Sequence, residues 1–413
     1  MYATKKMKIR NFGPIKNGFA SADGFFDLKK LTVFIGEQGT GKSTVAKLYS
    51  TFSWLEKAFY RGDYKIISLK DFQDLTSMQQ LPLSYFSDNS EIVYEGSAYN
   101  FIYKNNNFTI KKAKTYNDYH RAKIMYFCAE RNLLSVLKNP ENLDDIPNML
   151  SVFSHRYESA KDYFKNKELS LPLKNYSVEL NADKNIYITS KNLESKVSLQ
   201  QASSGMQSIV PIILTERFLL ESIGKNILDK LIDVKSSKMQ KNLLNKIENE
   251  TLSSKLEIFF VSGIKSSFSQ KDIAQLNVDL KKDFNFCLTS IVEEPELNLY
   301  PISQKDMVSN LISCINENEN NSLLITTHSP YILGSLNNCL YAGNLSEEGF
   351  NCDSIIKKGE QISVKDICAY KIVDGAIKSI IDDDLGLIKN SEIDECSDLI
   401  NEEYQKLEDI ELQ

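Results

Sequence analysis

Eight consecutive residues, Gly36-Glu37-Gln38-Gly39-Thr40-Gly41-Lys42-Ser43, follow the pattern G-x-x-x-x-G-K-[ST]. The chemistry this spacing serves is phosphate binding. The glycines let successive backbone N–H groups curl around an anion, and a helix beginning behind them adds its positive dipole end. Lys42 brings charge to the β- and γ-phosphates of a nucleoside triphosphate, and Ser43 is placed to ligate Mg2+. The expected nucleotide-binding set is Gly36, Gln38, Gly39, Thr40, Gly41, Lys42, Ser43 and Thr44. Its flanks agree: Leu31-Thr32-Val33-Phe34-Ile35 reads as a buried strand, and Ser43 to Leu48 as the start of a helix.

Three further segments carry side chains suited to the same chemistry. Ile291-Val292-Glu293-Glu294 follows apolar Phe284 and Phe286, as a strand delivering carboxylates to its C-terminal edge should. Glu293 would hold Mg2+ or its water, at a position where nucleotide hydrolases more often carry Asp, and Glu294 would polarise the attacking water. His328 closes the next apolar run, Leu323-Leu324-Ile325-Thr326-Thr327, where an imidazole can donate to a γ-phosphate oxygen or simply cap the following turn. Ser203-Ser204-Gly205-Met206-Gln207 precedes a helical run. Ser204 and Gly205 could form an anion site from hydroxyl, N–H and helix dipole, or an ordinary N-cap turn. The order of these segments along the chain is what joins them. Lys42, Glu294 and His328 are the expected catalytic residues, with Ser43 and Glu293 at the metal.

Composition bounds the setting. The chain has 413 residues, 42% hydrophobic and 25% charged, as a folded globular protein does. The start has no apolar signal segment, and the stretch Ile209–Ile223 is interrupted by Thr215-Glu216-Arg217, so a cytoplasmic protein without membrane spans is expected. Seven cysteines without a C-x-x-C pair argue against a disulfide framework or zinc site. The net charge of −6 is unevenly spread: residues 382–413 carry twelve acidic side chains against Lys389 and Lys406. That tail holds −10, which leaves +4 for residues 1–381. Basic clusters at Lys5 to Arg10, Lys111 to Lys114 and Lys225 to Lys246 leave DNA contact open.

The elements that must position these groups follow from pattern. Met7–Ile15 reads as a strand that ends in a turn, and further strands are expected at Leu31–Ile35, Ile124–Ala129, Phe284–Val292, Leu323–Thr327 and Cys368–Val373. A small antiparallel meander is expected between Ile92 and Ile110. Tyr176–Leu180 and Asn185–Ile188 read as strands, and so does Leu256–Val261 within an otherwise helical, Lys-rich stretch. Residues 44–60 should form a helix burying Val45, Leu48, Phe52, Leu55 and Phe59. The expected organisation is an α/β fold. Residues 1–215 form an N-terminal lobe, 216–282 a helical insertion, 283–350 the rest of the core, and 351–413 a C-terminal extension with an acidic tail.

Taken in order, these segments resemble the ATP-binding-cassette superclass. Met7 to Ile15, Cys128-Ala129-Glu130-Arg131, Ser203 to Gln207, Glu293 to Pro301 and Thr327-His328-Ser329-Pro330 resemble its OLD, RecF and SMC-like branch, near the ATPase subunits of the Septu and PARIS anti-phage systems. The resemblance implies an ABC-type head, a phosphate-loop core with an antiparallel β subdomain, that binds and hydrolyses ATP with Mg2+. It implies a homodimer or higher homo-oligomer in which Ser204 and Gly205 of one subunit reach the γ-phosphate held by the other's Lys42, with Leu297 to Tyr300 as a contact loop. A separate effector, a nuclease or toxin, is the implied partner. Asp382-Asp383-Asp384 lacks a second carboxylate strand and is not expected to be a nuclease site. The rival readings are a DNA-repair ATPase of the RecF type and a nucleotide-binding scaffold with little turnover.

Overall fold

Leu31–Ile35 lies in the middle of a seven-stranded sheet whose order is Gly18–Phe19, Ala376–Ser379, Ile367–Val373, Leu31–Ile35, Ser322–Thr327, Cys287–Glu293 and Ala122–Phe127. The computed structural model describes residues 4–21, 23–137, 146–190, 196–389, 391 and 401–407. The central strands are parallel and buried throughout: every residue of Cys287–Glu293 and of Ser322–Thr327 is buried. That is what a sheet covered on both faces requires. Only the pairing of Ile367–Val373 with Ala376–Ser379 is antiparallel.

The register of this sheet positions the chemistry. Thr327 pairs with Ile35, and Glu293 pairs with Thr326. The residues that follow each strand, Gly36, His328 and Glu294, therefore leave the sheet together at its C-terminal edge. Ligand sites of open α/β sheets form at this edge.

The helix Lys42–Arg61 starts there and packs between two sheets, burying fifteen of its twenty residues. Val45, Leu48, Phe52, Leu55 and Phe59 are all at most 6% exposed, as their spacing predicts. Its outer neighbour is a five-stranded antiparallel sheet ordered Phe26–Leu28, Lys5–Arg10, Glu91–Glu95, Tyr99–Lys104 and Asn107–Lys112. Phe52 stacks on Phe72, Tyr94 and Phe101 between helix and sheet. Inside this layer Glu56, fully buried, accepts from the Tyr94 hydroxyl and the Ala98 N–H and pairs with Lys5 at 3.4 Å. A third sheet, of four short antiparallel strands between residues 168 and 198, precedes the helix Ser204–Gly224.

Three expectations are corrected. Leu256–Val261 is not a strand but part of the helix Glu250–Ser262. Leu252, Leu256 and Phe259, one helical face, are buried, whereas Ile258 and Val261 stand 64% and 90% exposed. Asn249 caps the helix start and left-handed Gly263 its end. The expected boundary at 216 falls inside the unbroken helix Ser204–Gly224, and the separate helical core gathers between Ile227 and Phe286. The expected extension from 351 supplies Ile367–Val373 and Ala376–Ser379 to the central sheet. The opening run is, as expected, a strand that ends in a turn: Lys5–Arg10, then a turn closed between Phe12 and Ile15.

In the acidic tail, residues 390, 392–400 and 408–413 lie outside the described residues. Before them, the Asp382 carboxylate accepts from the N–H groups of Asp384 and Leu385 and so shapes a hairpin turn. No helix of the described residues is long and apolar enough to cross a membrane. The six described cysteines are all buried and free.

Candidate nucleotide site

Helix Lys42–Arg61 begins at Gly41 without a side-chain cap and without an acidic residue in its first turn. Its first N–H groups are thus left for an anion. Gly36 (φ 153) and Gly41 (φ 112) adopt backbone angles that side chains resist. A β-carbon on Gly36 would lie 2.4 Å from the Ile372 carbonyl oxygen, and one on Gly41 would lie 2.7 Å from Ile15. The C-terminal strand Ile367–Val373 is therefore one wall of the loop, and the Phe12–Ile15 turn is another.

Lys42, buried at 5% exposure, donates from Nζ to the carbonyls of Gly36 and Glu37, both at 2.8 Å. Burial holds its ammonium below the ordinary lysine range, and nearby Glu294, Glu296 and Glu293 offset part of that shift. Its Nζ lies 3.5 Å from His328 Nδ1, and His328 Nε2 lies 3.3 Å from Glu294 Oε1. An ammonium can only donate, so Nδ1 accepts, and the imidazole proton sits on Nε2, directed at the Glu294 carboxylate. The ring thus links Lys42 to Glu294, the carboxylate expected to polarise water.

Glu294 stands at φ 44, in the left-handed region, and its N–H donates to the Thr326 carbonyl at 2.8 Å. This turn takes the chain off its strand and swings the carboxylate towards His328. Glu296 is spent on structure: its carboxylate accepts from the Thr327 hydroxyl at 2.8 Å and the His328 N–H at 2.7 Å. Burial pushes it above the usual carboxylate range, against the pull of those hydrogen bonds.

Glu293, 6% exposed, interacts with the buried Tyr126 hydroxyl, while its Oε1 lies outside hydrogen-bond geometry. A buried acceptor left open fits a metal or its water. Ser43, exposed at the helix start, is the second oxygen near the loop. Among the described residues no cluster of three or more His, Cys, Asp or Glu side chains is arranged to hold a metal. This suits Mg2+, which takes one or two protein oxygens and completes its shell with phosphates and water.

Ser203 and Ser204 are exposed at the start of the helix Ser204–Gly224, and Ser203 Oγ caps the Met206 N–H. Gly205 lets this helix approach the Leu297–Tyr300 loop: a β-carbon there would lie 2.7 Å from the Asn298 carbonyl oxygen. The fold brings Lys42, Glu294 and His328 together and sets the start of the Ser204 helix against the loop that follows Glu294. No hydrogen bond joins Ser204 to the phosphate loop among the described residues.

One central residue had no role assigned from sequence. Arg131, fully buried, donates to four carbonyl oxygens: Cys128 at 3.1 Å, Ser208 at 3.1 Å, Glu293 at 2.7 Å and Glu294 at 2.6 Å. It clamps the carboxylate strand end to the Ser204 helix. Burial lowers its guanidinium to about 10, against the pull of neighbouring Cys128, Glu296, Glu294 and Glu293.

No curated protein matches the chain. Solved structures it resembles include the SMC head domain from Thermotoga maritima, with a TM-score of 0.36 and 10% identity over 92% of this chain and 98% of that one. An SMC head bound to the C-winged helix domain of ScpA gives 0.36 and 9%, covering 92% and 97%. A nucleotide-free ATP-binding cassette from an ABC transporter gives 0.26 and 11%, covering 90% and 89%. Residues 273–333 match the AAA ATPase domain family, and this segment supplies Glu293, Glu294, Glu296 and His328.

Proposed function

We propose that this chain is an ABC-type ATPase subunit that binds ATP with Mg2+ at the Gly36–Thr44 loop and hydrolyses it. Two copies would complete each other's sites, and the ATP-bound dimer would control a separate effector, a nuclease or toxin, in bacterial anti-phage defence. The observation that carries the ATPase reading is the contact series Lys42–His328–Glu294 at one sheet edge, beside a helix start whose N–H groups have no cap. The family match over the same carboxylate and histidine segment supports it. The defence setting and the effector rest on the motif resemblance.

In this reading Ser43 and Glu293 would hold Mg2+, which supplies charge neutralisation between the phosphates. Glu294 accepts the proton of the attacking water, and Lys42 moves from the Gly36 and Glu37 carbonyls to the phosphates. Ser204 and Gly205 serve the partner's nucleotide. Exposed Tyr300, Ile302 and Tyr331 beside the Leu297–Tyr300 loop support a dimer surface there, with exposures of 75%, 59% and 56%.

The test is Mg2+-dependent phosphate release by the purified protein, together with light scattering with and without ATP. Turnover that vanishes in Lys42→Ala, and a mass that doubles with ATP, are the expected results. Equal phosphate release by Lys42→Ala and the native protein would remove the assignment.

A further inference from the structure

At the far end of the phosphate-loop helix, cations gather with little to balance them. Trp54, Lys57, Ala58 and Arg61 fall at helical spacing on one face of Lys42–Arg61 and wall one side of a cavity of about 220 Å3. The opposite side is Lys123 and Ile124 from the edge strand Ala122–Phe127, with Val152 and Arg156 one turn apart on the helix Asn148–Tyr163. No residue lining the cavity is acidic. Arg61 is engaged by Asp63. Among the described residues, Lys57, Lys123 and Arg156 have no carboxylate within ion-pair distance. Arg121 adds like charge from behind, its own N–H groups being taken by the Lys282 and Asp283 carbonyls and the Asn285 side chain.

Such a cluster works against the fold that holds it. Burial, then the charges of Lys123, Arg121, Arg61 and Arg156, push the Lys57 ammonium down to about 6. Burial and three arginines push Lys123 to about 8. Two other sheltered lysines show the usual balance: Lys5 pairs with Glu56 at 3.4 Å, and Lys8 with Glu91 at 3.0 Å. The cluster lacks an equivalent, and an anion from outside would supply it.

The rim indicates what accompanies that anion. Trp54, the only tryptophan in the chain, is 41% exposed there. An aromatic face next to clustered cations is how proteins hold a base beside its phosphate. At about 220 Å3 the cavity falls below the ~300 Å3 at which pockets begin to enclose a drug-sized molecule. It can take in a phosphate group and leave the rest at the mouth.

We propose that the Lys57, Lys123 and Arg156 pocket is a second anion site, which takes the phosphate of a nucleotide unit with Trp54 against its base or sugar. The unit arrives as a free nucleotide or as one residue of a nucleic-acid strand. The site is separate from the phosphate loop: Lys57 lies fifteen helical residues beyond Lys42, roughly 22 Å at the helical rise.

Trp54 makes the test direct, since all tryptophan emission comes from the pocket. The full chain carrying Lys42→Ala, which silences the phosphate loop, is titrated with AMP and separately with a twelve-residue oligothymidylate. A saturable change in Trp54 emission, weakening as salt rises, is expected with at least one ligand. Response to the oligonucleotide alone assigns the site to a strand, and response to AMP assigns it to a nucleotide unit of either source. Lys123→Gln with Arg156→Gln should weaken the responding ligand by about tenfold or more. The same pair should leave the melting temperature equal or higher, since repulsion is relieved; Arg156→Gln alone is the second variant if the pair does not fold. No emission change with either ligand, or the same half-saturation in the variants, overturns the proposal. Neither result bears on ATP hydrolysis, which is read in the protein with native Lys42.

Discussion

Glu294 holds a backbone conformation that a side chain resists, and its neighbours keep it there. Its N–H is fixed by Thr326 and its carbonyl by Arg131, so the strain aims the carboxylate at His328. Glu294→Gln keeps the shape and removes the proton acceptor. ATP binding should survive while steady-state phosphate release falls by about 10²- to 10⁴-fold, read by calorimetry beside a phosphate assay. Normal turnover in this variant would remove Glu294 from the catalytic role. Arg131 sets a second expectation. Arg131→Met leaves four buried carbonyls without their donor, and each unsatisfied acceptor costs about 1–3 kcal/mol. Arg131→Lys can replace some of those bonds. Urea melts should rank native above Lys above Met. In the folded Lys variant, kcat should fall further than ATP affinity, because the carbonyls it loosens orient Glu294 and not the phosphate loop. A Lys variant with native kcat would make Arg131 structural only. Lys42, Ser43, Glu294 and His328 were legible in the sequence because each belongs to a motif at a fixed offset from a strand end. Arg131 was not, since its partners are carbonyl oxygens that any residue supplies.

The helix Ser204–Gly224 ties the Ser204 surface to the carboxylate strand through a buried acid. Glu216, 1% exposed, accepts from Ser290 on the strand Cys287–Glu293 at 3.0 Å. Burial raises its carboxyl to about 7, with the Ser290 and Cys314 hydrogen bonds pulling the other way. The folded state therefore holds this proton more tightly than the unfolded chain. Stability from this group is full at low pH and is lost as pH rises from the ordinary carboxylate range through about 7. Glu216→Gln keeps an acceptor for Ser290 without the charge. Its melting temperature should equal that of the native protein near pH 4.5 and exceed it increasingly up to pH 8, by an amount worth about 3 kcal/mol at most. A gap that does not change with pH would show that Glu216 is not the titrating group. At this scale the sequence was legible where burial is two-sided or strictly alternating. It misled at Leu256–Val261, whose run of β-branched and aromatic residues hid the helical face Leu252, Leu256 and Phe259. It also hid the place of Ile367–Val373. Its apolar pattern marks a strand, but only the parallel pairing with Leu31–Ile35, more than 330 residues earlier, makes it a wall of the phosphate loop.

Across the whole molecule, the proposed dimer would draw half of each of its two sites from one copy. Lys42, His328 and Glu294 converge at the sheet edge, while exposed Ser204 starts a helix against the Leu297–Tyr300 loop. If two copies face each other, each nucleotide lies between the phosphate loop of one and the Ser204 helix start of the other. The C2 symmetry of such a pair gives a prediction that no single-chain site shares. Lys42→Ala removes the phosphate-loop half, and Ser204→Arg blocks the other half with a large cation; each protein alone should be inactive. A mixed dimer keeps one intact site, made by native Lys42 of the Ser204→Arg copy and native Ser204 of the Lys42→Ala copy. Random exchange of equal amounts makes half the dimers mixed, each with one of two sites intact, so about a quarter of native phosphate release should return. The recovery should follow the product of the two concentrations as the mixing ratio is varied, with its maximum at equal amounts. A site contained in one chain would give no recovery at any ratio. Paired sites that must fire together would also give none in turnover, yet the mixed dimer would still retain one ATP after rapid gel filtration. That retained nucleotide separates coupled sites from a geometry in which Ser204 plays no part.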